Sequence, residues 1–202
     1  VDVKKLDIKI THASEIIEMG EAPGQAIRKK KKSSIVLAVD AVAKGSSDAV
    51  VAAGSTGAAM ASSLFGLGRI PGIERPAIAV TLPTMKKPIV VIDAGANSSC
   101  TPQMLKQFAI MGLTFSKNVL GVENPRVGVL NIGEEAGKGN ELAQNTYKLL
   151  EQEQDNMNFV GNIEGREIFL NVCDVIVCDG FVGNVALKIT EGTSSMLFRM
   201  IK

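Results

Sequence analysis

Ile89-Val90-Val91-Ile92-Asp93-Ala94-Gly95-Ala96-Asn97, with Thr101-Pro102 close behind, sets the class of fold. Four consecutive apolar residues, all β-branched, do not alternate as a strand with one wet face would. They suit a strand covered on both faces, as in a parallel sheet. A Gly-containing turn follows. A helix comes next, its start marked by Thr101 as N-cap and Pro102 at the first helical position.

The same order recurs along the chain. Residues 126–132 read as a strand, 133–139 as a Gly-rich turn, and Asn140 caps a helix through Leu150. Residues 158–160 and 175–178 read as two more strands. The second runs into Asp179-Gly180-Phe181-Val182-Gly183-Asn184 and a final helix. Upstream, residues 49–53 read as a buried strand, 54–57 as a turn and 58–67 as a helix of small residues. Continuous apolar strands alternating with helices predict an α/β fold with a mainly parallel sheet covered on both faces. Right-handed connections then bring the Gly-rich turns to the carboxyl edge, where open α/β sheets bind ligands.

Composition narrows the function. Lys+Arg is 22 against Asp+Glu 21, so the basic excess that marks nucleic-acid binding is missing. The three cysteines, Cys100, Cys173 and Cys178, are too few and odd in number for a disulfide framework, which favours a reducing compartment. No apolar run approaches the ~20 residues that cross a bilayer, and the N-terminus lacks a signal-peptide pattern. The expectation is a cytoplasmic protein. Val1 reads as the end of a strand and Lys202 falls inside a helical pattern, so a piece of a longer chain is expected.

The chemical inventory is short. The single histidine, His12, precedes a predicted helix and lies outside every Gly-rich loop, which argues against a Ser-His-Asp or Cys-His relay. No His/Cys/Asp cluster has metal-ligand spacing. Residues 133–138 have too few residues between glycines for a phosphate-binding P-loop, and Gly139 stands where Ser or Thr should hold magnesium. No dinucleotide fingerprint or G-x-S-x-G elbow occurs.

Four loops remain that offer amides, hydroxyls and a few cations. Gly54-Ser55-Thr56-Gly57 opens a helix and suits an anion. Asp93 and Asn97 flank a second loop. Asn131, Glu134, Glu135, Lys138 and Asn140 crowd a third. Asp179 and Asn184 flank a fourth, with Lys188 one turn on. These residue types also dominate turns and caps for conformational reasons alone. A phosphate nucleophile fits the inventory, because it is anionic at neutral pH and needs no histidine. It needs positioning, and donors for the oxyanion formed on a thioester carbonyl.

Eight segments, in order, carry a resemblance: Ala53-Gly54-Ser55-Thr56-Gly57-Ala58, Leu67-Gly68-Arg69-Ile70, Arg75-Pro76-Ala77-Ile78-Ala79, Asp93-Ala94-Gly95-Ala96-Asn97, Leu130-Asn131-Ile132-Gly133-Glu134-Glu135, Lys138-Gly139-Asn140-Glu141-Leu142, Gly161-Asn162-Ile163-Glu164-Gly165-Arg166 and Cys178-Asp179-Gly180-Phe181-Val182-Gly183-Asn184-Val185. Together they resemble the phosphate acyltransferase family of bacterial phospholipid synthesis. The resemblance implies transfer of a fatty acyl group from acyl-[acyl carrier protein] to inorganic phosphate, yielding acyl phosphate. It implies a three-layer α/β/α sandwich similar to phosphotransacetylase and the isocitrate dehydrogenase group, a homodimer, no metal and no nucleotide or other cofactor. Family members open with a strand and a D-A-M-G-G-D-type loop and close with a Gly-rich segment. Both are missing here, so residues 1–202 are expected to be a single α/β domain without those ends. Ser55 stands where Asn is common, and Ala94 where Val is.

On this reading Gly54, Ser55, Thr56, Gly57, Asp93, Asn131, Lys138 and Asn140 bind phosphate or substrate. Asn97, Asp179, Asn184 and Lys188 surround the reacting carbonyl, with Asp179 reprotonating the departing thiolate. The run Arg28, Lys29, Lys30, Lys31 docks the acidic carrier protein or is simply a solvated helix end. The final helix, with Val185, Ile189, Met196, Leu197, Met200 and Ile201, packs in a core or dimer or touches the membrane. Cys178 reads as a buried, inert thiol. Two alternatives stand: a phosphotransacetylase-like enzyme using coenzyme A thioesters, and a non-catalytic membrane-associated scaffold.

Overall fold

The computed structural model describes residues 8–202, so the strand end expected at the N-terminus lies outside the described residues. The contacts divide the chain into two compact units, Val1–Pro71 and Gly72–Lys202, where the sequence reads as one domain.

The described part of the first unit is helical: α1 Pro23–Lys29, α2 Ser34–Ala43 and α3 Thr56–Leu67. Its small core holds Ala26, Ile27, Val39 and Ala58. Residues 49–53, expected as a buried strand, form none, and Val51 is 96% exposed. An apolar run becomes a strand only beside a partner that takes its N–H and C=O groups, and none of the described strands pairs with it. The helix expected after His12 begins only at Pro23, and His12 is exposed. Helix α3 starts at Thr56, two residues before the expected Ala58, with Ser55 Oγ accepting from Ala58 N at 3.3 Å.

The second unit contains the sheet: β1 Ala79–Leu82, β2 Ile89–Ile92, β3 Arg126–Asn131, β4 Asn158–Glu164 and β5 Val175–Val177. Its order is β1-β2-β5-β3-β4. Strands β2, β5, β3 and β4 run parallel, and β1 pairs antiparallel at the edge. Strand β1 is absent from the sequence reading, because its apolar run is short and flanked by Pro76 and Pro83.

Strand alternation sorts the core into two layers. Val90, Ile92, Val127, Val129, Val175 and Val177 face helix α4 (Pro102–Val119) and helix α5 (Glu141–Glu151). There Met104, Leu105, Phe108 and Leu150 complete a buried cluster. On the opposite face, Ile89, Val91 and Ile176 meet Ile163, Ile168 and Cys178, against Ala186 and Leu187 of helix α6 (Gly180–Ile201). This is the expected α/β/α sandwich. Thr101 caps α4 by accepting from Met104 N, and Asn140 caps α5 by accepting from Ala143 N, as the sequence places them.

At the amino edge of the sheet Arg126 and Asp174 form a closed knot. Asp174 Oδ2 accepts from Arg126 N at 2.8 Å and from Nε at 3.0 Å, while Oδ1 accepts from NH2 at 3.2 Å. The paired carboxylate raises the Arg126 pKa. Asp174 is 8% exposed, so removing it leaves buried donors without an acceptor. Asp174→Ala should destabilise the fold by about 2 kcal/mol, discounted for the half-exposed guanidinium. Denaturant midpoints measure this, and a loss under about 0.5 kcal/mol would show the knot to be decorative.

Candidate active site at the carboxyl edge of the sheet

The loop after β2 is built around one carboxylate. Asp93 is fully buried. Its Oδ1 accepts from the N–H groups of Ile78 (3.0 Å), Gly95 (3.2 Å) and Ala96 (3.0 Å). Its Oδ2 accepts from Asn97 N and Asn97 Nδ2, both at 2.8 Å. A buried charge this well solvated by amides is stable, and it dictates the path of residues 93–97. In this geometry the Asp93 side chain, expected to bind substrate, is turned to the amides of its own loop and shapes that loop.

Asn97 is similarly engaged. Its Nδ2 carries two hydrogens, and one goes to Asp93 and the other to Pro76 O at 2.8 Å. Neither remains for a substrate oxyanion, so Asn97 stands in this structure as a structural partner of Asp93.

The start of α6 closes onto this loop. Gly180 N donates to Asn97 O at 2.8 Å. A Cβ at Gly180 would lie 2.8 Å from Asn97 N and 2.9 Å from Asp93 Oδ2, and one at Gly183 would overlap Asp93 O. Glycine is required at both positions by close approach. Asp179 caps the helix: its Oδ1 accepts from Phe181 N and Val182 N, each at 3.0 Å, and Oδ2 takes neither bond. Asn184 is exposed and lies beside Gly95. Lys188 is exposed on the next turn, with Nζ 2.7 Å from Glu191 Oε2.

The loop after β3 forms the other wall. Asn131 Oδ1 accepts from Ile132 N at 2.8 Å, and Nδ2 donates to Lys138 O at 3.1 Å, folding residues 131–138 back on themselves. Gln144 Nε2 donates to Gly137 O and Gly139 O. Asn162, 5% exposed, holds the loop from below through Nδ2 to Glu135 O at 2.8 Å. The sequence reading gives Asn162 no role, although a lone amide inside an apolar strand is the available signal. Lys138 is exposed, and Arg166 pairs with Glu164 at 2.8 Å.

Between these walls lies a cavity of about 310 Å³. Asn131, Gly139, Asn140 and Asp179 supply its polar lining, and Leu105, Val129 and Cys178 are among its apolar residues. Leu130, Asn131, Ile132 and Val182 also line a second, larger groove of about 1060 Å³ along α6. Three of the four expected loops therefore meet at the carboxyl edge of the sheet. The fourth, Gly54 to Gly57, belongs to the first unit, where Gly54 and Ser55 border a cavity of about 250 Å³.

The thiols are poor nucleophiles. Burial pushes Cys100 up to about 11 and Cys173 up to about 12, and pushes Cys178 higher still. Cys178 is buried with Sγ 3.5 Å from Asp93 O. Among the described residues no group of three His, Cys, Asp or Glu is placed to hold a metal ion. In the first unit Lys30 is tied to Glu21 at 2.5 Å and to Ile16 O at 2.7 Å, and Arg28 stacks over Phe65 at 5.3 Å. Lys29 and Lys31 are exposed.

The contact between Gly183 and Asp93 invites a paired test on one helix. Gly183→Ala should cost at least about 3 kcal/mol, since the obstacle is backbone that cannot rotate away. Gly192→Ala, where nothing lies within 4 Å, should add up to about 1 kcal/mol through helix propensity. Thermal unfolding of both variants checks this, and equal effects would contradict the packing described.

Known proteins place the chain. The family model described as "Fatty acid synthesis protein" matches residues 2–202. A phosphate acyltransferase from Halothermothrix orenii is 56% identical over 195 residues, and one from Desulforamulus reducens is also 56% identical over 195. Each alignment covers 96% of this chain and 58% of the relative, so the chain spans little more than half the length of these curated relatives. Among solved structures, the EutD phosphotransacetylase from Staphylococcus aureus matches with TM-score 0.62 at 19% identity, over 87% of this chain and 60% of that one. A phosphotransacetylase from Streptococcus pyogenes matches with TM-score 0.64 at 17% identity, over 88% and 63%. These two share the fold expected from the sequence. The chain belongs to the fatty acid synthesis protein family, among relatives named phosphate acyltransferase.

Proposed function

We propose that the full-length protein transfers a fatty acyl group from acyl-[acyl carrier protein] to inorganic phosphate, forming acyl phosphate for phospholipid synthesis. Family membership across residues 2–202 carries this reading. The site supports it: amides and capped helix starts at one sheet edge, beside thiols held protonated by burial.

A phosphate oxygen attacks the thioester carbonyl carbon. The oxyanion is met by N–H donors at the loop and helix starts. The C–S bond then breaks, the thiolate leaves and takes a proton, and acyl phosphate and free carrier thiol result. In the second unit Asn131, Lys138 and Asn140 are the proposed phosphate and substrate contacts, and in the first unit Gly54, Ser55, Thr56 and Gly57 are a proposed anion-binding loop. Asn184 and Lys188 flank the carbonyl, and Asp179 takes the proton of the attacking hydrogen phosphate and passes it to the departing sulfur. Asp93 and Asn97 position the loop.

The exposed Arg28, Lys29 and Lys31 fit an acidic carrier protein, for which charge complementarity chiefly raises the association rate. Leu197, Phe198, Met200 and Ile201 are exposed at the far end of α6 and fit peripheral contact with the inner face of a membrane or a homodimer interface. No helix among the described residues is long and apolar enough to cross a membrane.

The phosphotransacetylase fold keeps a coenzyme A donor in view. Long-chain carrier thioesters and short coenzyme A thioesters should be compared with and without phosphate. Phosphate-dependent thiol release from the carrier thioester is expected. Release from neither donor would end the reading, and release from coenzyme A alone would replace it.

Asp179→Asn isolates the proton. Asn caps a helix as well as Asp does, so the fold should survive. Turnover should drop about 100-fold with little change in the KM for phosphate. Unchanged turnover would remove Asp179 from that role.

A further inference from the structure

We infer that the groove along α6 is the seat of the acyl chain and acts as a ruler of its length. This rests on the acyl-transfer reading above and adds to it where the substrate's hydrocarbon lies.

The groove is continuous with the polar cavity. Leu130, Asn131, Ile132 and Val182 line both, so a carbonyl held beside Asp179 and Asn131 would lead its tail directly into the groove. One wall is a helical stripe: Val182, Val185, Ala186, Ile189 and Thr193 recur at the spacing that aligns side chains on one face. Ile168 and Phe169 face them from the segment after β4, and Pro83 adds a further apolar contact. The polar lining residues are Asn131 and Glu164, the last residues of β3 and β4, and Thr190, Thr193 and Ser194 of α6.

Its length fits. Val182 to Thr193 spans 11 residue steps, or roughly 16 Å at the helical rise. One acyl chain spans half a bilayer's hydrocarbon core, roughly 15 Å. The groove volume of about 1060 Å³ leaves room for the chain. Its exposed apolar walls, with Phe181 65% and Ile189 64% exposed, gain from being covered by hydrocarbon. Each methylene buried should raise specificity up to about fourfold. The gain should stop once the chain passes Thr193 and Ser194 at the distal end.

The test uses the full-length protein, a carrier-thioester series from four to eighteen carbons, saturating phosphate and no lipid. The wild type should show kcat/KM rising with chain length and then levelling. Two blocks placed at different depths read the ruler. Thr193→Trp lies at the far end on an exposed helix face, where folding should tolerate it. It should lower the long-to-medium kcat/KM ratio at least tenfold. Ala186→Trp lies nearer the cavity and should lower the medium-to-short ratio as well, moving the optimum to shorter chains.

Phosphate-dependent turnover with a flat wild-type profile would overturn the groove assignment while leaving the acyl-transfer reading intact. Absence of turnover at every length would instead sink that reading, and the ruler with it. Equal loss at all lengths in the Thr193→Trp variant, with a change of oligomeric state by light scattering, would assign the groove to a second copy and overturn the proposal. An unchanged profile with a lowered Tm would assign it to another segment of the same protein and overturn the proposal equally. Should Ala186→Trp fail to fold, Thr193→Trp alone decides.

Discussion

A single buried carboxylate organises the candidate site. Taking the charge of Asp93 out of water would be prohibitive without compensation. Five N–H bonds supply it, four from backbone and one from the Asn97 amide. Meeting those bonds wraps residues 93–97 around the carboxylate and fixes where Asn97 O points. That oxygen then receives Gly180 N, and the missing side chains at Gly180 and Gly183 let α6 approach to backbone contact. The loop after β2 and the start of α6 thereby become one solid body. The cavity beside Asp179 inherits its shape from that packing.

The electrostatics follow from where each charge is compensated. The negative charge of Asp93 is met inside the protein by amide dipoles, so it does not stand open at the cavity to repel an incoming anion. The nearby cations are handled differently. Lys188 pairs with Glu191 and Arg166 with Glu164, and the two cationic side chains are 65% and 72% exposed. Exposed pairs contribute at most about 1 kcal/mol and exchange partners readily. An anionic substrate can draw such a side chain away at small cost, whereas the Asp93 cluster cannot rearrange without unfolding the loop.

What is locally determined is legible in the sequence. The run 89–92 has no alternation, and the strand there is buried on both faces. Thr101 and Asn140 read as helix starts because a cap bonds only two or three residues ahead, whereas residues 179–184 read as a loop although α6 already begins at Gly180 behind the Asp179 cap. Non-local facts escape. Residues 49–53 have strand composition, but pairing depends on a neighbour that the segment itself does not encode. Strand β1 is hard to see because it is short, half-exposed and flanked by prolines. Asp93 and Asn97 read as substrate contacts, yet motif position alone cannot tell a carboxylate facing a ligand from one facing five amides. Asn162 is hidden for the same reason, since its partner at Glu135 lies 27 residues away.

Helix α6 joins these features into one device. Its first residue follows the Asp179 cap, its Gly180 and Gly183 clamp it to the Asp93 loop, and its stripe from Val182 to Thr193 forms the wall of the groove. Under the proposed acyl transfer, head chemistry and tail recognition sit on the same rigid rod, and the rise per residue fixes their separation. On that arrangement, apolar contact far from the carbonyl is converted into orientation at the carbonyl, because the tail cannot settle in the groove without bringing the head to the cap. Two separate loops could each bind a part of the substrate as tightly, but they would not hold the parts in register. A capped helix clamped at one end and apolar along one face does.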